Sequence, residues 1–184
     1  MHECIVSNNC YGIDYYKRVN IQYNTPFVGL YIFPDCYVTL LEKIDYYMSL
    51  LPVPIPMKKS KYYSNIKEMP KYPIAILEDV EIHFLHYKNE KEAIEKWERR
   101  KKRMIPFPKC FFKMCDREGY LGKHGKRFLE LSYNKKVLFI TKSNRYDLPY
   151  CKTIIELPDD SKCCPTGTNL ERRYPVQTIL LTNV

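Results

Sequence analysis

Glycine is scarce in this 184-residue chain, six in all, and no G-x-G-x-x-G or phosphate-loop pattern occurs. No standard nucleotide-binding fingerprint is therefore present. None of the eight cysteines, at positions 4, 10, 36, 110, 115, 151, 163 and 164, forms a C-x-x-C pair, which leaves a zinc ribbon or a thioredoxin-type motif without support. No apolar run approaches the ~20 residues of a membrane span. The opening Met1-His2-Glu3-Cys4-Ile5-Val6 lacks a basic segment followed by a long apolar one, so it does not read as a signal peptide. Without an export signal, reduced thiols and a cytoplasmic location are expected.

What is present is a core and a charge. Hydrophobic residues make up 45% and aromatic residues 14% of the chain, too much apolar surface for a disordered chain. The length suits one domain, residues 1–184, with an extension after about 145 that carries less pattern. Lys and Arg exceed Asp and Glu by 30 to 21, for a formal charge of +9. Such a balance favours anionic partners. The charges are interspersed rather than gathered in a basic tail, which disfavours nucleic acid as the partner.

Periodicity places the elements. Cys4 to Ser7 reads as a short buried strand, Ile13 to Val19 as a helix, and Phe27 to Ile32 as a second strand behind Pro26. Val38, Leu41, Ile44, Tyr47 and Met48 line one face of a helix that Asp35 would cap. Tyr72–Leu77 and Val80–Leu85 read as a hairpin turning at Glu78-Asp79. Asn89, with acids in the next turn, starts a helix that runs through Trp97 to about Met104. Strands are expected at 109–114, 137–141 and 153–157, with a helix at 121–131, a loop at 159–169 and a strand or helix at 177–181. Strands alternating with helices predict a single α/β layered domain with a mainly parallel sheet flanked by helices, mixed if the hairpin joins it.

Three groups of residues could carry chemistry. Ser7, Asn8, Asn9 and Cys10 follow the first strand and precede a helix, the position where open α/β sheets collect ligands. They could hydrogen-bond a phosphate or a sugar, or simply satisfy a polar turn. The segment from Asp79 to His86 is the densest in ionisable groups. On a straight strand Asp79, Glu81 and His83 share one face and His86 takes the other. His83 with Asp79 or Glu81 is thus the better proton-transfer pair, the alternative being a half-buried histidine bonded to backbone. The spacing is unspecific for a metal, and none is assigned. In the run Arg99 to Arg103, Arg100 and Arg103 lie one helical turn apart and could clamp a phosphate, or solvate a helix end. Asp116, just past a strand, is a general base or a turn residue.

Several segments together resemble domain-of-unknown-function family 1919, bacterial proteins found among genes for exopolysaccharide and capsule biosynthesis. They are Ser7 to Gly12, Asn24 to Leu30, Tyr72-Pro73-Ile74, Asp79 to Tyr87, and Glu92 to Arg100. The likeness covers roughly residues 4–141. It implies an α/β domain associated with cell-surface glycan assembly, and it brings no established reaction or catalytic residues. The resulting expectation is a transferase moving a sugar, or less readily an acyl group, from an activated donor to a hydroxyl. The expected ligands are an anionic small molecule such as a nucleotide sugar or acyl-CoA, and a glycan acceptor. His83 or His86 would be the base and Asp79 its orienter, with Ser7, Asn8, Asn9, Cys10, Arg100 and Arg103 holding the ligand. The sequence names no cofactor and leaves peripheral membrane contact open. The alternative is a non-enzymatic glycan- or nucleotide-binding accessory of a biosynthetic complex.

Overall fold

The computed structural model describes residues 2–158 and 163–182. Its frame is a four-stranded, all-parallel sheet in the order β1-β5-β6-β7, built from Ile5–Ser7, Phe111–Cys115, Lys136–Ile140 and Ile154–Glu156. Both faces of such a sheet are covered, which is why its strands read as unbroken apolar runs rather than alternating ones. All five residues of β5 are buried. One of them is Lys113, fully inaccessible in the middle of an apolar strand.

A second, antiparallel sheet holds β2 (Val53–Ile55), β3 (Ile74–Leu77) and β4 (Val80–His83). The β3–β4 hairpin turns at Glu78, φ 59°, and Asp79, as the sequence predicted. The fold is therefore α/β with a mainly parallel sheet, and the hairpin builds a small sheet of its own instead of mixing the first. Phe27 to Ile32, expected as a strand, forms only a bridge at Tyr31. The physical reason is its position: Tyr31 exchanges hydrogen bonds with His83 of β4, while Ile32 N–H donates to Asn8 O beyond β1. The segment links the two sheets, and Gly29, just ahead of these contacts, takes φ +74°.

The helices follow local chemistry, with corrections. α1 is Ile13–Arg18. The predicted helix after Asp35 breaks at Lys43 (φ −134°, ψ 46°) into α2, Pro34–Glu42, and α3, Ile44–Ser49. Pro34 takes the first helical position, which needs no N–H donor, so Asp35 lies inside the helix and pairs with Arg127 at 3.4 Å instead of capping. The one-turn helix α4 is Tyr63–Ile66. α5, Glu90–Lys101, starts as predicted: Asn89 Oδ1 accepts from Glu92 N at 2.9 Å, and Trp97 is buried edge-on to Phe27. α6, Gly122–Glu130, crosses from β5 to β6. The predicted loop at 159–169 lies partly outside the described residues. Its last three positions open α7, Gly167–Arg173, and 177–181 is helical within α8, Val176–Thr182. No helix among the described residues is long and apolar enough to cross a membrane.

Candidate functional site

The carboxyl ends of β1, β5 and β6 meet in one polar cluster. Asn8 and Asn9 leave β1 and turn their side chains over β5. Lys113 Nζ donates to Asn9 Oδ1 at 2.9 Å and to Asn8 Oδ1 at 3.2 Å, and lies 5.5 Å from the Tyr11 ring centroid. Asn9 Nδ2 donates to Cys115 Sγ at 3.2 Å, and Asn8 Nδ2 to Cys115 O at 3.4 Å. Ser7 Oγ donates to Asn9 Oδ1 at 3.2 Å and accepts from Asn9 N. Cys10 sits at the margin, its thiol against Leu30 O and held above its ordinary pKa by burial, more than the Lys113 charge can offset.

Lys113 has no carboxylate within ion-pair distance among the described residues, and a buried ammonium needs a counter-charge. The two amide oxygens of Asn8 and Asn9 solvate the Lys113 ammonium, and the Cys115 thiol stands beside it. Burial alone would raise its pKa, but the Cys164 thiol donating to it and the Lys113 ammonium beside it outweigh burial and bring it below the ordinary thiol value. Cys164 moves the opposite way, its proton held by the hydrogen bond to Cys115.

Asp116 follows β5 directly. Its Oδ2 accepts from Thr141 N at 2.8 Å, Thr141 Oγ1 at 2.5 Å and Asn144 Nδ2 at 2.9 Å. Three donors on one oxygen fix the carboxylate. The other oxygen, Oδ1, is buried and has no partner, although Asp116 as a whole is only 4% exposed. Such an orphaned acceptor is costly unless it serves something. Residues after β7 lie over this edge. Arg117 Nη1 donates to Cys164 O at 2.9 Å, and a Cβ on Gly167 would stand 2.3 Å from Tyr11 N.

The residues singled out from sequence divide among three places. Ser7, Asn8, Asn9 and Cys10 belong to the carboxyl-edge cluster. His83 lies one chain segment away, across residues 30–32, and its fully buried ring faces an aromatic cluster. Its Nδ1 is 3.2 Å from Tyr72 Oη, and Nε2 is 3.4 Å from Glu81 Oε2, out of line for a hydrogen bond. Glu81 thus stands beside His83, and Asp79 does not: it lies in the hairpin turn and accepts from Tyr47 Oη at 2.7 Å. His86 is exposed. Arg100 and Arg103 flank the opposite, amino edge of the parallel sheet, near Tyr16, whose hydroxyl meets Ile5 N at the start of β1. Arg100 Nη1 donates to Tyr87 Oη at 2.5 Å, and Arg103 Nη1 to Gln22 Oε1 at 2.7 Å.

Lys113, Cys115, Thr141 and Asn144 were not candidates from sequence. One signal was available: a lysine inside an apolar run that reads as a central parallel strand must be buried, and a buried lysine requires partners. No group of three or more His, Cys, Asp or Glu placed to hold a metal occurs among the described residues.

Residues 2–157 match the family model DUF1919, described as a domain of unknown function. The chain belongs to this family. An uncharacterized protein of Haemophilus influenzae is 35% identical over 138 residues, which are 75% of this chain and 61% of that protein. The chain therefore spans less than two thirds of that relative. The DUF1919 span contains the whole Asn8–Asn9–Lys113–Cys115–Asp116 cluster, whereas Cys164 and Gly167, which lie against it, and helices α7 and α8 fall beyond residue 157.

Proposed function

We propose that this DUF1919 protein is a cytoplasmic transferase of bacterial cell-surface polysaccharide synthesis, transferring a sugar from an activated donor to a hydroxyl acceptor at the carboxyl edge of its parallel sheet. The carrying observation is Asp116, with one oxygen fixed by three donors and the other buried and unpartnered. A positioned carboxylate of this kind accepts the acceptor's hydroxyl proton as that oxygen bonds to the anomeric carbon. The bond from that carbon to the donor phosphate breaks, and its electron pair leaves with the phosphate. Lys113, in the same cluster, offers positive charge toward the leaving group. Asp116 takes the role of base because the His83 ring is enclosed by Phe33, Tyr62 and Tyr72. The polysaccharide context is supported by the family resemblance alone.

The second reading, a non-enzymatic glycan- or nucleotide-binding accessory, requires no proton transfer at the buried Asp116. A thermal-shift screen of nucleotide sugars and acyl-CoAs, followed by mass-spectrometric transfer assays, separates the two. Transfer that falls by roughly 100-fold or more in Asp116→Asn, with donor binding retained, supports the transferase. Saturable binding without turnover supports the accessory. Equal turnover by wild type and Asp116→Asn refutes the assigned base.

A further inference from the structure

The amino edge of the parallel sheet carries a second polar feature, separate from the cluster at the carboxyl edge. A cleft of about 660 Å³ opens between α5 and the chain from α1 through Tyr23. Lys17, Lys96, Arg99, Arg100 and Arg103 line it, and no carboxylate does. Lys96 and Lys17 have partners outside the lining, Glu92 at 2.6 Å and Asp14 at 3.8 Å. The three arginines have no carboxylate within ion-pair distance among the described residues.

Cations at a helix C-terminus complement its dipole, and that alone accounts for a basic last turn. It does not account for the details here. Arg100 is 7% exposed, its guanidinium stacked 4.8 Å from the Tyr23 ring centroid, and its Nε is buried without a partner. Arg103 also has a buried, unpartnered Nε. Burial, with the charges of Arg99 and Arg100 added, pushes the Arg103 pKa below its ordinary value. Like charges held together by neutral contacts (Tyr87, Gln22 and Tyr23) gain from an anion that neutralises them.

We propose that this cleft binds a small diphosphate-bearing ligand, through the guanidiniums of Arg99 and Arg103 on one wall and the ammonium of Lys17 on the other. Forked guanidinium donors match phosphate oxygens. The volume falls within the usual range for small-ligand sites. The charge is gathered in one cleft rather than drawn out along a stripe, which fits a compact anion better than a polymer. Arg100 covers one face of Tyr23, and Arg99, Arg103 and Lys17 read the ligand by its phosphates. The inference is independent of the transfer reaction proposed above.

Isothermal titration of the full chain with inorganic pyrophosphate, orthophosphate, uridine diphosphate, adenosine diphosphate and a single-stranded oligonucleotide tests it. Expected are one saturable site, pyrophosphate tighter than orthophosphate, and the two nucleotides alike. Arg99→Gln and Arg103→Gln should each weaken pyrophosphate by roughly tenfold, the loss of one forked contact. Both should keep the wild-type circular dichroism and melting curve, and Lys58→Gln, exposed near the other sheet, should bind as wild type. The absence of saturable pyrophosphate binding overturns the proposal, as does an equal loss in Lys58→Gln. Oligonucleotide binding tighter than pyrophosphate and lost in the same variants also overturns it, making the cleft part of a nucleic-acid surface.

Discussion

Glu171 of α7 ties the end of the chain to its beginning, and its removal gives a sharp test of that tie. Gly12, at φ 99°, precedes α1 and offers no side chain to cap it. The first turn's N–H groups must be satisfied from elsewhere. Glu171, fully buried, does this from 157 residues away: Oε2 accepts from Gly12 N at 2.9 Å and Asp14 N at 3.0 Å, and Oε1 accepts from Tyr15 N. Hydrogen bonds to a charged partner contribute about 1.5–3 kcal/mol each. Three would sum to roughly 5–9 kcal/mol before the cost of burying the carboxylate is subtracted. That cost is real here, because burial raises the Glu171 pKa despite the three donors. A net loss of about 4 kcal/mol is expected for Glu171→Ala, similar to other broken buried networks. For a chain of this size that lowers the melting temperature by roughly 8–16 °C. Urea unfolding followed by circular dichroism measures the loss directly, with Arg172→Ala, exposed on the same helix, as a control within ~0.5 kcal/mol of wild type. A loss below about 1 kcal/mol would refute the capping argument, since one ordinary hydrogen bond accounts for that much.

Gly167→Ala places a methyl 2.3 Å from Tyr11 N and 2.4 Å from Cys10 C. Backbone cannot yield as a flexible side chain does, so a loss of ~2 kcal/mol or more in urea unfolding is expected, and an unchanged midpoint would count against the close approach. Glu81 is held below its ordinary carboxylate pKa; burial opposes this, but His83, the Ser60 hydroxyl and Lys61 N–H outweigh it. A depressed folded pKa means that the native state binds fewer protons than the unfolded chain. The Glu81 contribution is therefore complete above the ordinary carboxylate range and is lost as pH falls through the folded value. Glu81→Gln should flatten the acid side of the stability–pH curve, and identical acid limbs for wild type and variant would exclude that linkage.

How far the sequence spoke depended on the range of the interaction. The helix at Asn89 was legible because its cap lies three residues from the N–H it serves. The hairpin at Glu78-Asp79 was legible because its turn and both strands are contiguous. The helix after Pro34 was misjudged in length because apolar spacing continues past Lys43 while the backbone there does not. Phe27 to Ile32 has strand composition, and its role as a link between sheets depends on Asn8 and His83, distant in sequence. The same limit governs the site. Asn8 and Asn9 could be placed at a strand end by local pattern, but their partner Lys113 is more than 100 residues on. Asp79 and His83 share a face on paper, yet the turn takes Asp79 out of the strand and leaves Glu81 beside the imidazole.

The two edges of the parallel sheet handle positive charge in opposite ways. At the carboxyl edge one ammonium, Lys113, is buried with a thiol of lowered pKa and a carboxylate close by in sequence, Cys115 and Asp116. Ionised Cys115 gives this group one cation and two anions; protonated Cys115 gives one of each. Deprotonating Cys115 therefore changes the field at Asp116 without any residue moving, and it does so below the usual thiol range. The Cys164 thiol, held in its protonated form, favours the ionised state by donating to Cys115. At the amino edge none of the three guanidiniums has a carboxylate within ion-pair distance among the described residues, and no carboxylate lines the cleft. On the two proposals above, the carboxyl edge serves proton transfer and the amino edge captures an anion. In a parallel sheet every strand's carboxyl end and the residues that follow it gather on the same side, which brings Asn8, Asp116 and Thr141 to one edge.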